Sequence, residues 1–340
     1  MRLILPHQAK QVLKQAGDRL GDIYADVRSF NFNWIVPYET AFSPRILQNP
    51  STWVMLLFGF FPLLGELMVT SMEALLICLV VYFALAWAAY FYVFVANRTT
   101  DIKLGLITAG CTSAISVPMV LLIKKLPPFS VLYAMAASDG NFEGLLGFIL
   151  GVGINEEIFK TLPVMLLAFH FGRIKKPLDG IFYGALSGLG FAIPEGYLYI
   201  ARSHNAHGAL AQMLLRTTTL PFLHATWTAI AGYFVALAVI DKRRRVALCV
   251  LGISVSAVLH GCYDFTVNGD SMVSLFVAAF VYLLFISYIE RSQDMVKELE
   301  KRKAVAEAVM RGGPVPLPNP VPQTAGESLM IVGDRMTTEV

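Results

Sequence analysis

Charge is what this chain has least of. Asp, Glu, Lys and Arg make up only 15% of its 340 residues, against 56% hydrophobic residues, and the mean hydropathy is +0.60. A soluble globule carries about a quarter charged residues, so this balance excludes one and leaves a polytopic membrane protein. Cysteine is nearly as scarce. Cys78, Cys111, Cys249 and Cys262 stand singly in apolar segments with no Cys-x-x-Cys pair, which excludes a thiolate zinc site, an iron–sulfur cluster and a disulfide framework and leaves small buried hydrophobes. Phosphate-binding glycine loops, the Gly-x-Ser-x-Gly elbow and a His-Glu-x-x-His pair are missing too, so the common nucleotide-binding and soluble hydrolase signatures do not apply. The apolar runs are continuous and not alternating over about ten residues, which disfavours a transmembrane β-barrel.

What is present is a series of windows long enough for membrane helices, which need about 20 apolar residues each. Eight fall at about 52–70, 74–96, 104–123, 144–170, 179–200, 211–240, 246–266 and 272–289. The first is interrupted by Pro62 and Glu66. The fold class predicted is an all-α transmembrane bundle of about eight spans. Basic residues cluster at Arg98 to Lys103, Arg173 to Lys176, Lys242 to Arg245 and both termini, which places all five stretches, and hence both termini, on the cytoplasmic side. Lys124 and Lys125 violate the pattern. The formal net charge of +3 therefore reflects topology and anionic lipid, with no nucleic acid as partner.

Residues 1–50 form a cytoplasmic amphipathic segment, with Leu13, Leu20, Ile23, Tyr24 and Val27 at helical spacing among basic residues; the helix lies on the membrane surface or packs against the bundle. Met1 to Pro6 is too short for a signal-peptide core, so an uncleaved start is expected. Residues 51–290 form the transmembrane domain. From 291 to 340 a charged helix gives way, at Gly312-Gly313-Pro314, to a Pro-rich disordered tail.

Against so apolar a background, a few ionisable residues stand out. Each charged side chain near the bilayer centre costs about 2.5–3.5 kcal/mol on insertion scales, which makes it a functional-site candidate. Glu156, Glu157 and Lys160 share a face of the fourth window at spacings of three and four, a carboxylate pair suited to moving a proton to and from water. Their plain alternative is a structural ion pair. Glu195 follows Pro194, whose missing N–H frees backbone that neighbouring groups or water must satisfy; it lines a polar cavity or sits at the interface. His224 lies deep in the sixth window, and His260 and Asp264 share a face of the seventh. A lone buried His is more often a packing residue. Two on adjacent helices, beside two helices with buried Glu, supply the nitrogen and oxygen donors of a zinc site with an open position, with Asp264 as ligand or as support to His260.

In these residues the chain resembles the PrsW family of intramembrane proteases, itself similar to the CAAX prenyl protease and bacteriocin-processing superfamily. The matching elements are Glu156-Glu157-x-x-Lys160, Phe191-x-x-x-Glu195, His224 and His260-x-x-x-Asp264, in order on four successive spans within 144–266. The resemblance implies metal- or glutamate-dependent peptide hydrolysis within the bilayer, carried out by a chain that is itself multi-pass in the bacterial plasma membrane, with site-1 cleavage of an anti-sigma factor as the associated role. CAAX-type relatives usually carry Arg in the first motif and His in the second, where this chain has Lys160 and Glu195, so prenylated substrates are not expected. The reading is an intramembrane metallopeptidase acting on a membrane-anchored protein: Glu156, Glu157 and Lys160 catalytic, His224, His260, Glu195 and Asp264 around Zn²⁺. Two other functions fit buried Glu and His. A proton- or cation-coupled transporter would normally show paired repeats, which the sequence lacks, and a non-catalytic scaffold has no need of so many buried ionisable groups.

Overall fold

The computed structural model describes residues 7–30, 35–41, 43–49, 52, 55, 73–96, 100–138, 141–202, 217–269 and 271–310. Among these every regular element is helical. The principal helices are α1 (His7–Arg28), α2 (Glu73–Phe94), α3 (Ile102–Ile123), α4 (Phe129–Ala136), α5 (141–170), α6 (Pro177–Arg202), α7 (Leu220–Ile240), α8 (Arg245–Gly269) and α9 (Ser271–Met310). The first predicted span apart from Thr52 and Met55, the segment 203–216, and the Pro-rich tail lie outside the described residues. The chain divides into Met1–Ser292, which holds every residue of the candidate site, and Gln293–Val340.

Four helices are long and apolar enough to cross a membrane: Ile102–Ile123, Leu220–Ile240, Arg245–Val267 and Met272–Glu298. Shorter and apolar is Leu79–Phe94. The motif-bearing α5 and α6 are not among the four, because the residues that make them interesting (Glu156, Glu157 and Lys160 in one, Asp179, Pro194, Glu195 and five glycines in the other) lower their apolarity. Burial sorts the bundle. In α7 the apolar window is 89% buried, against 28% in α3, so α7 is the central helix and α3 turns an apolar face outward through Leu106, Ile107, Ile115 and Leu122. An outward face of that kind matches lipid, which solvates apolar side chains as well as a core does. In α1, Leu20 and Tyr24 are exposed while the helix touches α8.

Close backbone approach sets the spacing around the site. α6 and α7 pack along a row of small residues, and a methyl group at Gly188 would run into the carbonyl of His224. A methyl at Gly153 would likewise strike the carbonyl of Ala257, joining α5 to α8. Only glycine lets these pairs come so near, and small residues are how membrane helices gain packing when the solvent is itself apolar. Two prolines complete the frame. Pro163 and Pro194 lie inside α5 and α6 and cannot donate to the carbonyls of Phe159 and Gly190, four residues back. Both carbonyls are taken by α3: Ser116 Oγ donates to Phe159 O at 2.8 Å, and Ser113 Oγ donates to Gly190 O. α3 is thereby fastened to the two glutamate-bearing helices. α5 is also wound more widely than an α-helix over Gly147–Gly153 and Leu166–His170, and π-type turns of this sort frequently flank functional residues.

Candidate active site

α5 meets α6, α7 and α8, so the four motifs face one another. Lys160 is fully buried and stands at their centre. Its Nζ lies 2.9 Å from Glu157 Oε1 and 3.1 Å from Glu156 Oε2, as spacings of three and four on one helix dictate. It also donates to His224 Nδ1 at 2.7 Å and sits 4.4 Å from the centre of the Phe191 ring. A buried ammonium this well surrounded compensates two carboxylates that would otherwise be prohibitive to bury.

The two glutamates diverge from there. Glu157 is saturated: its Oε1 accepts from Lys160 and faces His260 Nδ1 at 3.0 Å, and its Oε2 accepts from the Thr228 hydroxyl at 3.2 Å. Glu156 Oε2 makes no aligned hydrogen bond and lies 3.8 Å from His260 Nε2. Outside this pair, Glu195 Oε2 is 2.6 Å from His224 Nε2 and Asp264 Oδ2 is 3.3 Å from His260 Nε2. The imidazoles are 5.2 Å apart between centroids, and Trp227 stacks on His260 at 4.2 Å with planes 16° apart, which fixes the ring's tilt.

A cavity of about 1130 Å³ opens beside this cluster. Glu156, Glu195 and Asp264 face it, while Glu157, Lys160 and both histidines lie behind its wall. The rest of the lining is largely apolar, including Val117, Leu121, Phe148, Phe191, Leu198 and Phe265. Every sequence-predicted site residue is thus in one cluster. Sequence reasoning missed Thr228, Trp227, Asn155 and Tyr133. Thr228 and Trp227 carried a signal, lying four and three residues beyond His224 on its own helix face, and Asn155 adjoins the motif. Tyr133 gave none, since it belongs to a segment between predicted spans.

Glu156, His224 and His260 each offer one donor atom, all within 4.8 Å of one another. Glu156 Oε2 and His224 Nε2 are buried without an aligned hydrogen bond, as donor atoms shaped for a cation would be, and the nitrogen and oxygen set suits Zn²⁺. His260 meets the further requirement that its other nitrogen be held, by Glu157 in a carboxylate–histidine arrangement. His224 fits conditionally. Lysine only donates, so its Nδ1 is the acceptor of the Lys160 contact; a neutral imidazole then carries its proton on Nε2. His224 presents a lone pair there only once Lys160 lets go.

Comparison with known proteins gives the family. Residues 79–289 match the family described as PrsW family intramembrane metalloprotease. Protease PrsW of Shouchella clausii is 31% identical over 116 residues, which is 34% of this chain and 52% of that protein. Protease PrsW of Halalkalibacterium halodurans is 31% identical over 139 residues, 40% of this chain and 62% of its own length, and that of Bacillus subtilis 30% over 137 residues, 40% and 61%. The matched region thus spans between about half and two thirds of these relatives. No solved structure matches. With the match covering well over half of the chain and enclosing α5 to α8 and their motifs, the protein belongs to the PrsW family of intramembrane metalloproteases.

Proposed function

We propose that this chain hydrolyses a peptide bond of a membrane-anchored protein, with Glu156 as the general base. One observation carries the assignment: of the two adjacent glutamates, Glu156 alone faces the cavity and keeps an oxygen without an aligned hydrogen bond. A water beside it loses a proton to Glu156 while its oxygen bonds to the scissile carbonyl carbon and the carbonyl π electrons move to oxygen. The C–N bond then breaks as the oxyanion collapses, and the departing nitrogen takes the proton back from Glu156, leaving a carboxyl group and an amine. Glu157 and Lys160 do not touch substrate in this scheme. Glu157 orients His260, and Lys160 supplies the positive charge that keeps both carboxylates buried.

His224 and His260 would hold Zn²⁺ through Nε2, with oxygen donors from Glu195 and Asp264, each of which lies against one of these nitrogens, so that Glu156, the third residue of the possible metal group, is left to act as the base. When bound, the ion supplies Lewis acidity to the carbonyl and acidity to the water. A glutamate-only reading is favoured by one contact, since Lys160 occupies His224 Nδ1. Chelation separates them: dialysis against a strong chelator abolishes cleavage and zinc restores it under the metal reading, whereas cleavage persists under the other. The substrate class inferred is a single-span protein, by resemblance an anti-sigma factor, in a bacterial plasma membrane that this chain crosses about eight times with both termini cytoplasmic. The test is co-expression with candidate single-span proteins. Cleavage by the wild type and none by Glu156→Gln is expected; no cleavage of any candidate by the reconstituted wild type overturns the reading.

A further inference from the structure

Tyr133, on the short helix α4, is a polar cavity residue that the motifs do not account for. It lines the same space as Glu156, Glu195 and Asp264. Its hydroxyl oxygen accepts from Asn155 Nδ2 at 3.3 Å, and the same amide nitrogen donates to the Val120 carbonyl at 3.3 Å. Asn155 therefore spends its amide on a backbone anchor in α3 and on Tyr133, and it immediately precedes Glu156. A phenol oxygen whose acceptor role is filled from one side keeps its O–H for the other, which here is the cavity. Burial and the nearby charges of Glu156, Glu195 and Asp264 push the phenol's pKa well up, so the group stays a neutral donor in a space otherwise rich in carboxylate acceptors.

We propose that Tyr133 is a further catalytic residue of this site, donating its hydroxyl hydrogen bond to the oxyanion that forms when water adds to the scissile carbonyl. The proposal rests on the peptidase reading above. In the addition step the carbonyl π pair becomes a full charge on oxygen. The Tyr133 O–H does not transfer its proton; it holds the charge until the C–N bond breaks. The chain's only buried cation at the site, among the described residues, is Lys160, which is committed to Glu156, Glu157 and His224 and stands behind the cavity wall. On the cavity side, Lys124 Nζ lies over the Tyr133 ring 5.9 Å from its centroid, and Tyr133, on α4, is the donor there that is tied directly to the residue beside Glu156. Preorganised donors aimed at a developing oxyanion in a water-poor site are among the largest contributors to acyl-group hydrolysis, each about 10²–10³-fold in kcat.

The experiment uses the full-length protein in proteoliposomes with a single-span substrate established by co-expression. Tyr133→Phe removes one oxygen and keeps the ring. The expected result is a kcat about 10²–10³-fold lower with KM within about threefold, because the interaction exists only in the transition state. A phosphinic peptide built on the cleaved sequence, which mimics the tetrahedral intermediate, should lose affinity by the same factor as kcat/KM while an uncleaved substrate peptide binds to Glu156→Gln and to Glu156→Gln/Tyr133→Phe alike. A merely structural tyrosine would lower thermal stability and leave the ratio of phosphinate to substrate affinity untouched. Unchanged kcat, or a loss confined to KM, overturns the proposal while leaving the peptidase reading in place. Absence of any wild-type cleavage overturns both.

Discussion

Glu156 and Glu157 are one position apart and differ in almost everything a variant would report. Replacing Glu157 by Gln leaves Lys160 with one carboxylate instead of two and removes the charged acceptor from His260 and Thr228; breaking a buried ion network this way costs about 3–5 kcal/mol. Glu157→Gln should therefore lose both cleavage and stability, read as a lower unfolding midpoint in detergent. Glu156→Gln should lose cleavage by at least about 10²–10⁴-fold, the usual contribution of a general base, with a smaller loss of stability, because it gives up only the Lys160 pairing at 3.1 Å where Glu157→Gln also gives up His260 and Thr228. Equal effects of the two variants on stability would refute the division of labour. The residues of this site were legible in the sequence because charge in an apolar run is conspicuous. Their roles were not. Spacing shows that both glutamates reach Lys160, but Thr228 lies 71 residues from Glu157, and only the fold shows that it saturates one carboxylate and spares the other.

At the scale of elements, apolar windows located most helices, since length and hydropathy are local properties. They missed what holds the helices in register. The prolines in α5 and α6 marked where backbone hydrogen bonds fail, but not that Ser116 and Ser113 of α3 replace the missing donors. Ser116→Ala leaves the Phe159 carbonyl without a donor, which costs about 1–3 kcal/mol for a buried polar group. Pro163→Ala returns the N–H within the helix, so the Ser116→Ala penalty should largely vanish on that background. A double-mutant cycle by urea unfolding measures this as a coupling of about 1 kcal/mol or more; strict additivity would show that the serine is not serving the proline's carbonyl. α4 was invisible beforehand because a helix of eight residues bounded by Pro128 carries no span-length hydrophobic signal. It is nonetheless the element that brings Tyr133 to the cavity.

For the whole molecule the informative fact is which ends of the helices surround the cavity. Its lining comes from the C-terminal ends of α3, α6 and α8, the N-terminal ends of α5 and α9, and α4, so all of these ends lie on one side of the bundle. The proposed topology puts the Lys176 and Arg245 ends of the same helices in the cytoplasm, which makes the cavity side extracytoplasmic. Lys124, the exception to the charge rule, then lies where a solvent-facing mouth tolerates it, for it lines the cavity. Reporter fusions after Lys176 and Arg245 should score as cytoplasmic and one after Ser138 as external. In intact cells, a Lys124→Cys variant in which Cys111, the exposed thiol among the described cysteines, and Cys78 are replaced by Ser should react with a membrane-impermeant maleimide within minutes. A bound phosphinic peptide should slow that labelling, because both occupy one space. Fusions that score in reverse, with labelling only after the cells are opened, would turn the molecule over. The cleavage chemistry would survive, but the cut would then fall in the cytoplasmic half of the membrane, and the proposed topology would have to be reversed.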